Sequence, residues 1–237
     1  NRSSLYTRLG STFLASIMVS LNMNPPAAAF PQYPRQRLGI YAVVDNIDWL
    51  EHLAQLGVSM IQLRVKNQSI PEIRTQVIAA KEICTRHQVK LYLNDYWQLA
   101  IEQGIHGVHL GQEDMDSADF ASIQRAGLHL GLSTHNHAEA QRAMAMRPSY
   151  IALGPIFPTT TKVMPFEPQG LERLREWMQC YGKHTAICAI GGINASNFSA
   201  LAQTDVHAIA MVNGLRPEQP NWDKAWQLYQ TWQNTPS

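Results

Sequence analysis

From residue 38 onward, short apolar runs alternate with segments of amphipathic helical pattern, and this alternation occurs eight times. Apolar runs of four to six residues bounded by turn residues are typical of strands buried on both faces, as in a parallel sheet. We therefore expect eight strands, at Gly39–Val44, Met60–Val65, Val89–Leu93, Gly107–Leu110, His129–Ser133, Tyr150–Pro155, Thr185–Ile190 and Ala208–Val212.

Helices between these runs are indicated by apolar side chains spaced three or four residues apart. The two clearest stripes consist of Ile73, Val77, Ala80 and Cys84, and of Trp222, Ala225, Trp226 and Tyr229. Eight strand–helix units in a chain of 237 residues predict a single α/β domain closed as a (β/α)8 TIM barrel. A doubly wound parallel sheet is the structural alternative, although such sheets usually contain fewer strands.

The first 36 residues do not follow this pattern, and we interpret 1–36 as an N-terminal extension or linker before a barrel domain at 37–237. Two arginines precede the mostly apolar segment Leu9–Leu21, an order that superficially resembles a signal peptide. Hydroxyl side chains interrupt that segment, which is also too short to span a bilayer as a helix. We read the extension as a linker or as the remnant of a longer chain, and the sequence leaves a fusion to an upstream domain open. The alternative is that its apolar segment covers the bottom of the barrel or a subunit interface. We expect a chain that begins near Pro34 to fold and act like the full chain.

Composition excludes some classes of partner. The formal net charge is +1 and no long run of Lys or Arg occurs, which argues against nucleic-acid binding. The three cysteines, Cys84, Cys180 and Cys188, show neither a disulfide framework nor a zinc spacing, as expected in the reducing cytoplasm. We expect small-molecule substrates and no membrane partner, and the sequence leaves a homo-oligomer open.

Two of the predicted strands are followed by an acidic residue, Asp95 after the third and Asp114 after the fourth. Because the carboxyl ends of parallel strands meet at one edge, both carboxylates should face one cavity. Hard oxygen ligands with few sulfur or imidazole neighbours suit Mg²⁺, which often bridges to substrate phosphates. The sequence therefore predicts a Mg²⁺ site at Asp95 and Asp114. The alternative is that Asp95 caps the helix that follows it.

The second strand ends in the sequence Gln62-Leu63-Arg64-Val65-Lys66. Its period-two pattern places Gln62, Arg64 and Lys66 on the side away from the helices. Two cations inside a barrel are unfavourable unless they are paired, so they imply an anionic ligand or carboxylate partners. The alternative is that Arg64 and Lys66 only neutralise the two aspartates.

The fifth and sixth strands also lead into polar segments. Ser133 and Thr134 are expected to form an exposed hydroxyl pair beside His135, which is either an acid–base group or a residue at the start of a helix. The long connection after the sixth strand contains Thr159, Thr161 and Lys162 and several prolines. A polar, proline-stiffened loop at this edge is a candidate lid whose hydroxyls and ammonium suit phosphate oxygens, or else an ordinary surface turn.

The last two strands are followed by glycine-containing turns. Gly191-Gly192 follows the seventh strand, and Val212-Asn213-Gly214 closes the eighth. Barrels often bind phosphate with the loops after these two strands, through backbone N–H groups that glycine leaves accessible. Together with the aspartates and cations, this pattern indicates chemistry on a diphosphate beside a second, phosphorylated ligand.

As a set, these motifs resemble the thiamine-phosphate synthase family over roughly Leu38 to Leu215. The matching stretches are Gln62–Lys66, Asn94–Tyr96, Gly107–Asp114, Ser133–His135, Gly154–Lys162 and Ile190–Ile193. The resemblance implies an enzyme that joins a hydroxymethylpyrimidine diphosphate to a thiazole phosphate, forming thiamine phosphate and releasing pyrophosphate.

The resemblance also implies roles for individual residues. The pyrimidine diphosphate would be held by Gln62, Arg64, Lys66, Asn94, Ser133 and Lys162, and the thiazole phosphate by Thr159, Thr161, Gly192, Val212 and Asn213. Asp95 and Asp114 would hold Mg²⁺. Arg64, Lys66, Lys162 and Ser133 would be the catalytic residues, because the family is thought to expel pyrophosphate before the thiazole nitrogen attacks.

One departure from the family pattern is Asn213, where these enzymes commonly have serine. A backbone contact to phosphate would survive that change, whereas a hydroxyl contact would need the amide as a substitute. Two alternatives remain open. A thiazole tautomerase of the same barrel type would use His135 for proton transfer, and a non-catalytic barrel would only bind a phosphate-bearing ligand.

Overall fold

A computed structural model describes residues 28–160 and 166–237. Eight parallel strands form a closed barrel in sequence order, and β8 closes it by pairing with β1. The strands are β1 Gly39–Val44, β2 Met60–Leu63, β3 Lys90–Asn94, β4 Gly107–Leu110, β5 His129–Thr134, β6 Tyr150–Leu153, β7 Ala186–Ile190 and β8 Ala208–Met211. The predicted (β/α)8 barrel is confirmed, and the predicted strands differ from these bounds by one or two residues at several ends.

Helices follow the strands and cover the outside of the barrel. In the described ranges they are α1 Ile47–Leu56, α2 Ile70–His87, α3 Trp97–Gln103, α4 Phe120–Arg125, α5 His137–Ala145, α6 Gly170–Tyr181, α7 Phe198–Ala202 and α8 Trp222–Asn234. Short 3₁₀ turns lie at Asp114–Asp116 and Asn213–Leu215. None of the helices in the part of the chain described here is long and apolar enough to cross a membrane.

Strand side chains alternate between two separate cores, as the pleat requires. The outer core lies between strands and helices and contains the stripe of α2, with Ile73, Val77 and Ala80 fully buried. The inner core fills the barrel with Tyr41 and Tyr92 among other residues, mostly small ones. The closed sheet therefore leaves the inward-facing residues at the carboxyl ends of the strands to line a site.

Three inward-facing tyrosines fill the middle of the barrel. The ring centroids of Tyr41, Tyr92 and Tyr150 lie 5.4 to 5.7 Å from one another, in tilted and edge-to-face contacts of the favourable kind. Glycines provide the space for them. A Cβ at Gly131 would lie 2.0 Å from the Tyr150 ring, and one at Gly107 would lie 2.6 Å from the Tyr92 ring.

The segment before β1 packs against the amino ends of the strands. Phe30 and Tyr33 are buried, and the backbone N–H of Phe30 donates to the carbonyl of Arg147 at 3.0 Å. The hydroxyl of Tyr33 lies 2.5 Å from that of Tyr92 and 2.8 Å from Nε2 of His106. The last part of the predicted extension is therefore packed under the barrel. Residues 1–27, which include Leu9–Leu21, lie outside the described residues, and the domain boundary at residue 37 stays a prediction.

Candidate active site

The aspartates that follow β3 and β4 lie together at the carboxyl end of the barrel. The carboxylate of Asp114 interacts directly with that of Asp95. Asp95 adopts a left-handed backbone conformation, with φ of 70°, and the capping position of α3 is Tyr96, which makes no side-chain cap bond. The alternative that Asp95 serves as a helix cap is therefore wrong.

The pKa of Asp114 is raised by its surroundings. Burial raises the pKa of Asp114, and repulsion from the neighbouring Asp95 carboxylate raises it further. The backbone N–H of Gly111, which donates to Oδ2 of Asp114 at 3.0 Å, and the positive charge of Lys66 act in the opposite direction. A cation between the two carboxylates would relieve this repulsion.

The chemistry of this pair fits Mg²⁺ as far as the donors are concerned. Two carboxylates supply hard oxygen ligands, and Mg²⁺ typically takes one or two carboxylates together with water and substrate phosphates. Within the described ranges, no group of three or more His, Cys, Asp or Glu side chains could hold a metal ion. Such an ion would therefore take two protein ligands, Asp95 and Asp114, and the rest from elsewhere.

The side chains at the end of β2 follow the predicted alternation. Gln62 is buried inside the barrel, and its Nε2 donates to the hydroxyl of Tyr41 at 3.0 Å. Lys66 forms an ion pair with Asp95. Among the residues described here, the guanidinium of Arg64 has no hydrogen bond or ion pair to another group. The alternative of simple neutralisation thus describes Lys66 in this structure, whereas Arg64 is left available for an anion.

The polar residues at the ends of β3 and β5 are divided between two faces. Asn94, the last residue of β3, is buried on the same face as Tyr92. Ser133 faces the interior, where its Oγ lies 2.8 Å from Nε2 of His109. Thr134 is fully buried on the helix side, and its hydroxyl donates to the carbonyl of Ala152 at 2.7 Å. The expected exposed hydroxyl pair is therefore wrong for Thr134, because successive strand residues face opposite sides.

His135 is held by the start of α5. Its Nδ1 lies 2.6 Å from Oε1 of Glu139, one helical turn further on, and its ring stacks on Phe166 with centroids 4.1 Å apart. The backbone carbonyl of His135 accepts a bond from Gln169 at 2.7 Å. This arrangement joins the β5 loop to the segment before α6, as expected for a residue at the start of a helix.

The loops after β6 and β7 are packed against each other. The backbone N–H of Phe157 donates to the carbonyl of Gly191 at 3.0 Å. Gly192 has a φ of 68°, and a Cβ there would lie 2.4 Å from the carbonyl oxygen of Pro158. Only glycine allows the two loops to approach this closely. Thr159 lies two residues beyond Phe157, next to this contact, whereas Thr161 and Lys162 lie outside the described residues.

The loop after β8 lies next to the loop after β7. Val212 is half-buried and Asn213 is exposed, and a 3₁₀ turn begins at Asn213. A Cβ at Gly214 would lie 2.6 Å from the carbonyl oxygen of Ile193, so the turns that follow β7 and β8 are in contact. Gly192, Val212 and Asn213 are therefore on neighbouring loops, as the phosphate-site prediction requires.

Sequence reasoning missed two groups that support the site. Arg142 on α5 donates to the carbonyl of Gln112 at 3.0 Å and forms an ion pair with Asp116, and thus fixes the loop that carries Asp114. Gln112 in turn donates to the carbonyl of Ser133 at 2.8 Å. His109 was also missed as a partner of Ser133. Alternation along β4 would have placed His109 inside the barrel, but its hydrogen-bond partners lie on β5 and β6, 24 and 41 residues away in sequence.

Comparisons with known proteins agree with this geometry. The family model for thiamine monophosphate synthase matches residues 40–215, from β1 to the turn after β8. A thiamine-phosphate synthase from Pectobacterium atrosepticum is 49% identical over 191 residues, which is 80% of this chain and 89% of that protein. One from Yersinia pestis strain Pestoides F is 47% identical over 189 residues, 79% of this chain and 87% of that protein.

Solved structures show the same fold. A thiamine phosphate pyrophosphorylase from Pyrococcus furiosus has a TM-score of 0.70 and 24% identity, and the match covers 84% of this chain and 96% of that one. A 3-hexulose-6-phosphate synthase, at 12% identity and a TM-score of 0.56, covers 82% of this chain and 99% of its own. Both likenesses concern the barrel alone. On the family model and the curated relatives, the chain belongs to the thiamine monophosphate synthase family.

Proposed function

We propose that this chain joins 4-amino-2-methyl-5-hydroxymethylpyrimidine diphosphate to thiazole phosphate, giving thiamine phosphate and pyrophosphate, with Mg²⁺ held by Asp95 and Asp114. As a member of its family the chain is a transferase. The observation that carries the proposal is the Asp95–Asp114 carboxylate pair beside Lys66 at the mouth of the barrel. A diphosphate with its metal ion is the ligand whose charges match this group.

The reaction needs stabilisation of a leaving group rather than an activated nucleophile on the protein. The bond between the pyrimidine methylene carbon and the diphosphate oxygen breaks, and its electron pair leaves with pyrophosphate. The thiazole nitrogen then donates its lone pair to the resulting pyrimidine-methyl cation. Arg64 and Lys66, which follow β2, would stabilise the charge that develops on pyrophosphate. Such electrostatic stabilisation is usually the largest contribution to catalysis.

The bound Mg²⁺ would neutralise part of the diphosphate charge as a Lewis acid. The chain's own residues would do the rest of the positioning. Lys66 forms an ion pair with Asp95, and its ammonium would contact the diphosphate from this position beside the proposed metal ligands. Lys162, in the connection after β6, is assigned to the diphosphate as well.

The thiazole phosphate is assigned to the contact between the loops after β6, β7 and β8. Gly191 and Gly192 both have positive φ, 106° and 68°, and the lack of a side chain leaves their backbone N–H groups accessible to an anion. Asn197 fixes this turn through a bond from Nδ2 to the carbonyl of Gly192 at 2.8 Å. Thr159, Thr161, Val212 and Asn213 complete the proposed phosphate site.

The tautomerase alternative is less well supported. It would need His135 as a proton-transfer group, and the bond between Nδ1 and Glu139 leaves Nε2 for that role. The geometry of His135 therefore does not decide between the two activities. Proton transfer on a thiazole would, however, leave the two aspartates and Lys66 without a role.

Mixing the two substrates tests the proposed function. The full chain with Mg²⁺ and both substrates should release pyrophosphate and form thiamine phosphate in equal amounts, and neither substrate alone should react. Conversion of the thiazole phosphate without any pyrophosphate release would favour the tautomerase instead. Binding of both ligands without turnover would identify a non-catalytic barrel.

A further inference from the structure

Five polar side chains from five strands form a continuous hydrogen-bonded chain across the barrel interior. It runs from Gln62 to Tyr41 at 3.0 Å, to Tyr150 at 2.7 Å, to Nδ1 of His109 at 2.7 Å, and from Nε2 of His109 to Ser133 at 2.8 Å. We refer to these five residues as the interior chain. Its two ends are the residues assigned to the pyrimidine diphosphate, whereas its three middle members have no role in the proposed function so far.

The interior chain has a direction, because each hydroxyl has only one proton to donate. The Nε2 group of Gln62 can only donate, so the hydroxyl of Tyr41 accepts there. Among the described residues Tyr150 is the one acceptor within reach of the Tyr41 proton, so we assign the donor of that bond to Tyr41. Tyr150 then accepts from Tyr41 and donates to Nδ1 of His109. Burial raises the pKa of both tyrosines well above the ordinary value, so both keep the proton that this order requires.

The direction determines what each end presents to a ligand. With Nδ1 accepting, neutral His109 carries its proton on Nε2 and donates it to Oγ of Ser133. The hydroxyl hydrogen of Ser133 is then available to a ligand. At the other end, Oε1 of Gln62 accepts no hydrogen bond within the described residues. The ends of the interior chain therefore offer one donor, at Ser133, and one acceptor, at Gln62.

This pattern distinguishes an aminopyrimidine from its oxo counterpart. In a 4-aminopyrimidine the exocyclic amino group donates and the adjacent ring nitrogen accepts. In the corresponding pyrimidinone the exocyclic oxygen accepts and the ring N–H donates, so both positions are inverted. Binding the oxo compound would require Gln62 and Ser133 to exchange roles, which reverses every bond between them.

We propose that Tyr41, Tyr150 and His109 are positioning residues that fix the donor at Ser133 and the acceptor at Gln62, and thereby select an aminopyrimidine over a pyrimidinone. The proposal rests on the proposed function, because it deepens the recognition of the pyrimidine diphosphate. Sites built around buried hydrogen bonds reject a mismatched ligand because they leave polar groups unpaired.

The barrel core contains a matched control. Tyr92 packs against the rings of both Tyr41 and Tyr150, but its hydroxyl bonds to Tyr33 and not to the interior chain. Tyr41→Phe and Tyr150→Phe break the interior chain, and Tyr92→Phe removes an equally buried hydroxyl outside it. All three changes keep the ring that fills the core, so a general loss of packing would affect them alike.

The kinetic test compares kcat/KM for the amino substrate and for its 4-oxo analogue, both as diphosphates. We expect the preference for the amino compound to fall about tenfold or more in Tyr41→Phe and Tyr150→Phe, the scale of one lost uncharged hydrogen bond. The preference should stay unchanged in Tyr92→Phe. An unchanged preference in the first two variants, or an equal loss in all three, would overturn the proposal.

A second measurement does not depend on turnover. The ¹⁵N spectrum of the ligand-free protein, with the His109 signals identified by their loss in His109→Gln, should show the neutral tautomer protonated at Nε2. In Tyr41→Phe that tautomer should no longer be the sole form. Protonation at Nδ1 in the wild-type protein would mean that the interior chain runs in the opposite direction, and the proposal would be wrong. Failure of the wild-type protein to make thiamine phosphate would overturn the proposed function, while the spectrum would still decide the direction.

Discussion

The carboxylate of Asp114 lies against that of Asp95, and this contact acts with burial to raise the pKa of Asp114. A carboxyl group whose pKa is higher in the folded state binds a proton more readily when folded than when unfolded. Its ionised form at neutral pH therefore destabilises the metal-free protein. The proposed Mg²⁺ site would thus lower the stability of the metal-free protein, a compromise that is common at functional sites.

Asp114→Asn should raise the melting temperature of the metal-free protein at neutral pH, because it removes the repelled charge. The asparagine oxygen can still accept from the N–H of Gly111. Mg²⁺ should raise the melting temperature of the wild-type protein and not that of the variant. The wild-type response should weaken on acidification, as a proton competes for Asp114. Scanning calorimetry with and without Mg²⁺ across a pH series measures both effects, and a variant less stable than wild type would contradict the first.

Acid sensitivity should arise from two histidines at the amino end of the barrel, His106, which is half-buried, and His207, which is buried. Burial lowers the pKa of His106 to about 3 and that of His207 to about 4, from an ordinary 6.5. As the pH falls below 6.5, these histidines take up protons in the unfolded chain but stay neutral in the folded protein. The free energy of unfolding therefore decreases until the pH reaches the lowered pKa values. For a group such as His106 the loss approaches about 1.4 kcal/mol per pH unit.

The variant His106→Gln tests this acid effect. The free energy of unfolding of the variant should fall less steeply than that of wild type between pH 6.5 and 4. Denaturant titrations at several pH values measure the difference, and the exposed His52→Gln controls for the loss of an imidazole as such. Parallel curves for wild type and His106→Gln would show that His106 is not responsible.

The segment before β1 should contribute to stability, contrary to the expectation that a chain beginning near Pro34 loses nothing. Phe30 is 1% exposed and Tyr33 is 7% exposed, and replacing a buried phenylalanine by alanine typically destabilises by about 3–5 kcal/mol. Phe30→Ala should therefore lower the denaturant midpoint strongly, whereas Gln36→Ala, at an exposed position of the same segment, should lower it little. Equal midpoints for Phe30→Ala and wild type would restore the original expectation.

Lys162→Ala should lower turnover by about two orders of magnitude or more, the usual effect of losing a charge-stabilising donor. Steady-state kinetics with both substrates checks this, with Lys183→Ala, at the amino side of β7, as the control. An unchanged kcat with a raised KM for the thiazole phosphate would move Lys162 to the second substrate.

The barrel and the family were predictable from sequence for a clear reason. Strand runs such as Gly39–Val44 are apolar on both faces, and most of the predicted site residues lie at or just after the end of a strand. The same short motifs therefore indicate both the fold and the site. The side to which Thr134 points was missed, because it depends on the exact register at the end of β5. The interior chain through Tyr41 and His109 was missed for a deeper reason. It joins strands far apart in sequence, and no local pattern reports such contacts.

The most direct test of the account is pyrophosphate release by Asp95→Asn and Asp114→Asn, measured with both substrates and saturating Mg²⁺. Glu113→Gln is the matched control, because it removes an exposed carboxylate next to Asp114. We predict that both aspartate variants stay folded and lose nearly all turnover, while Glu113→Gln keeps it. Near-normal pyrophosphate release by either aspartate variant, or by the wild-type protein in excess EDTA, would contradict the assignment of the Asp95–Asp114 pair as the magnesium site of the synthase reaction.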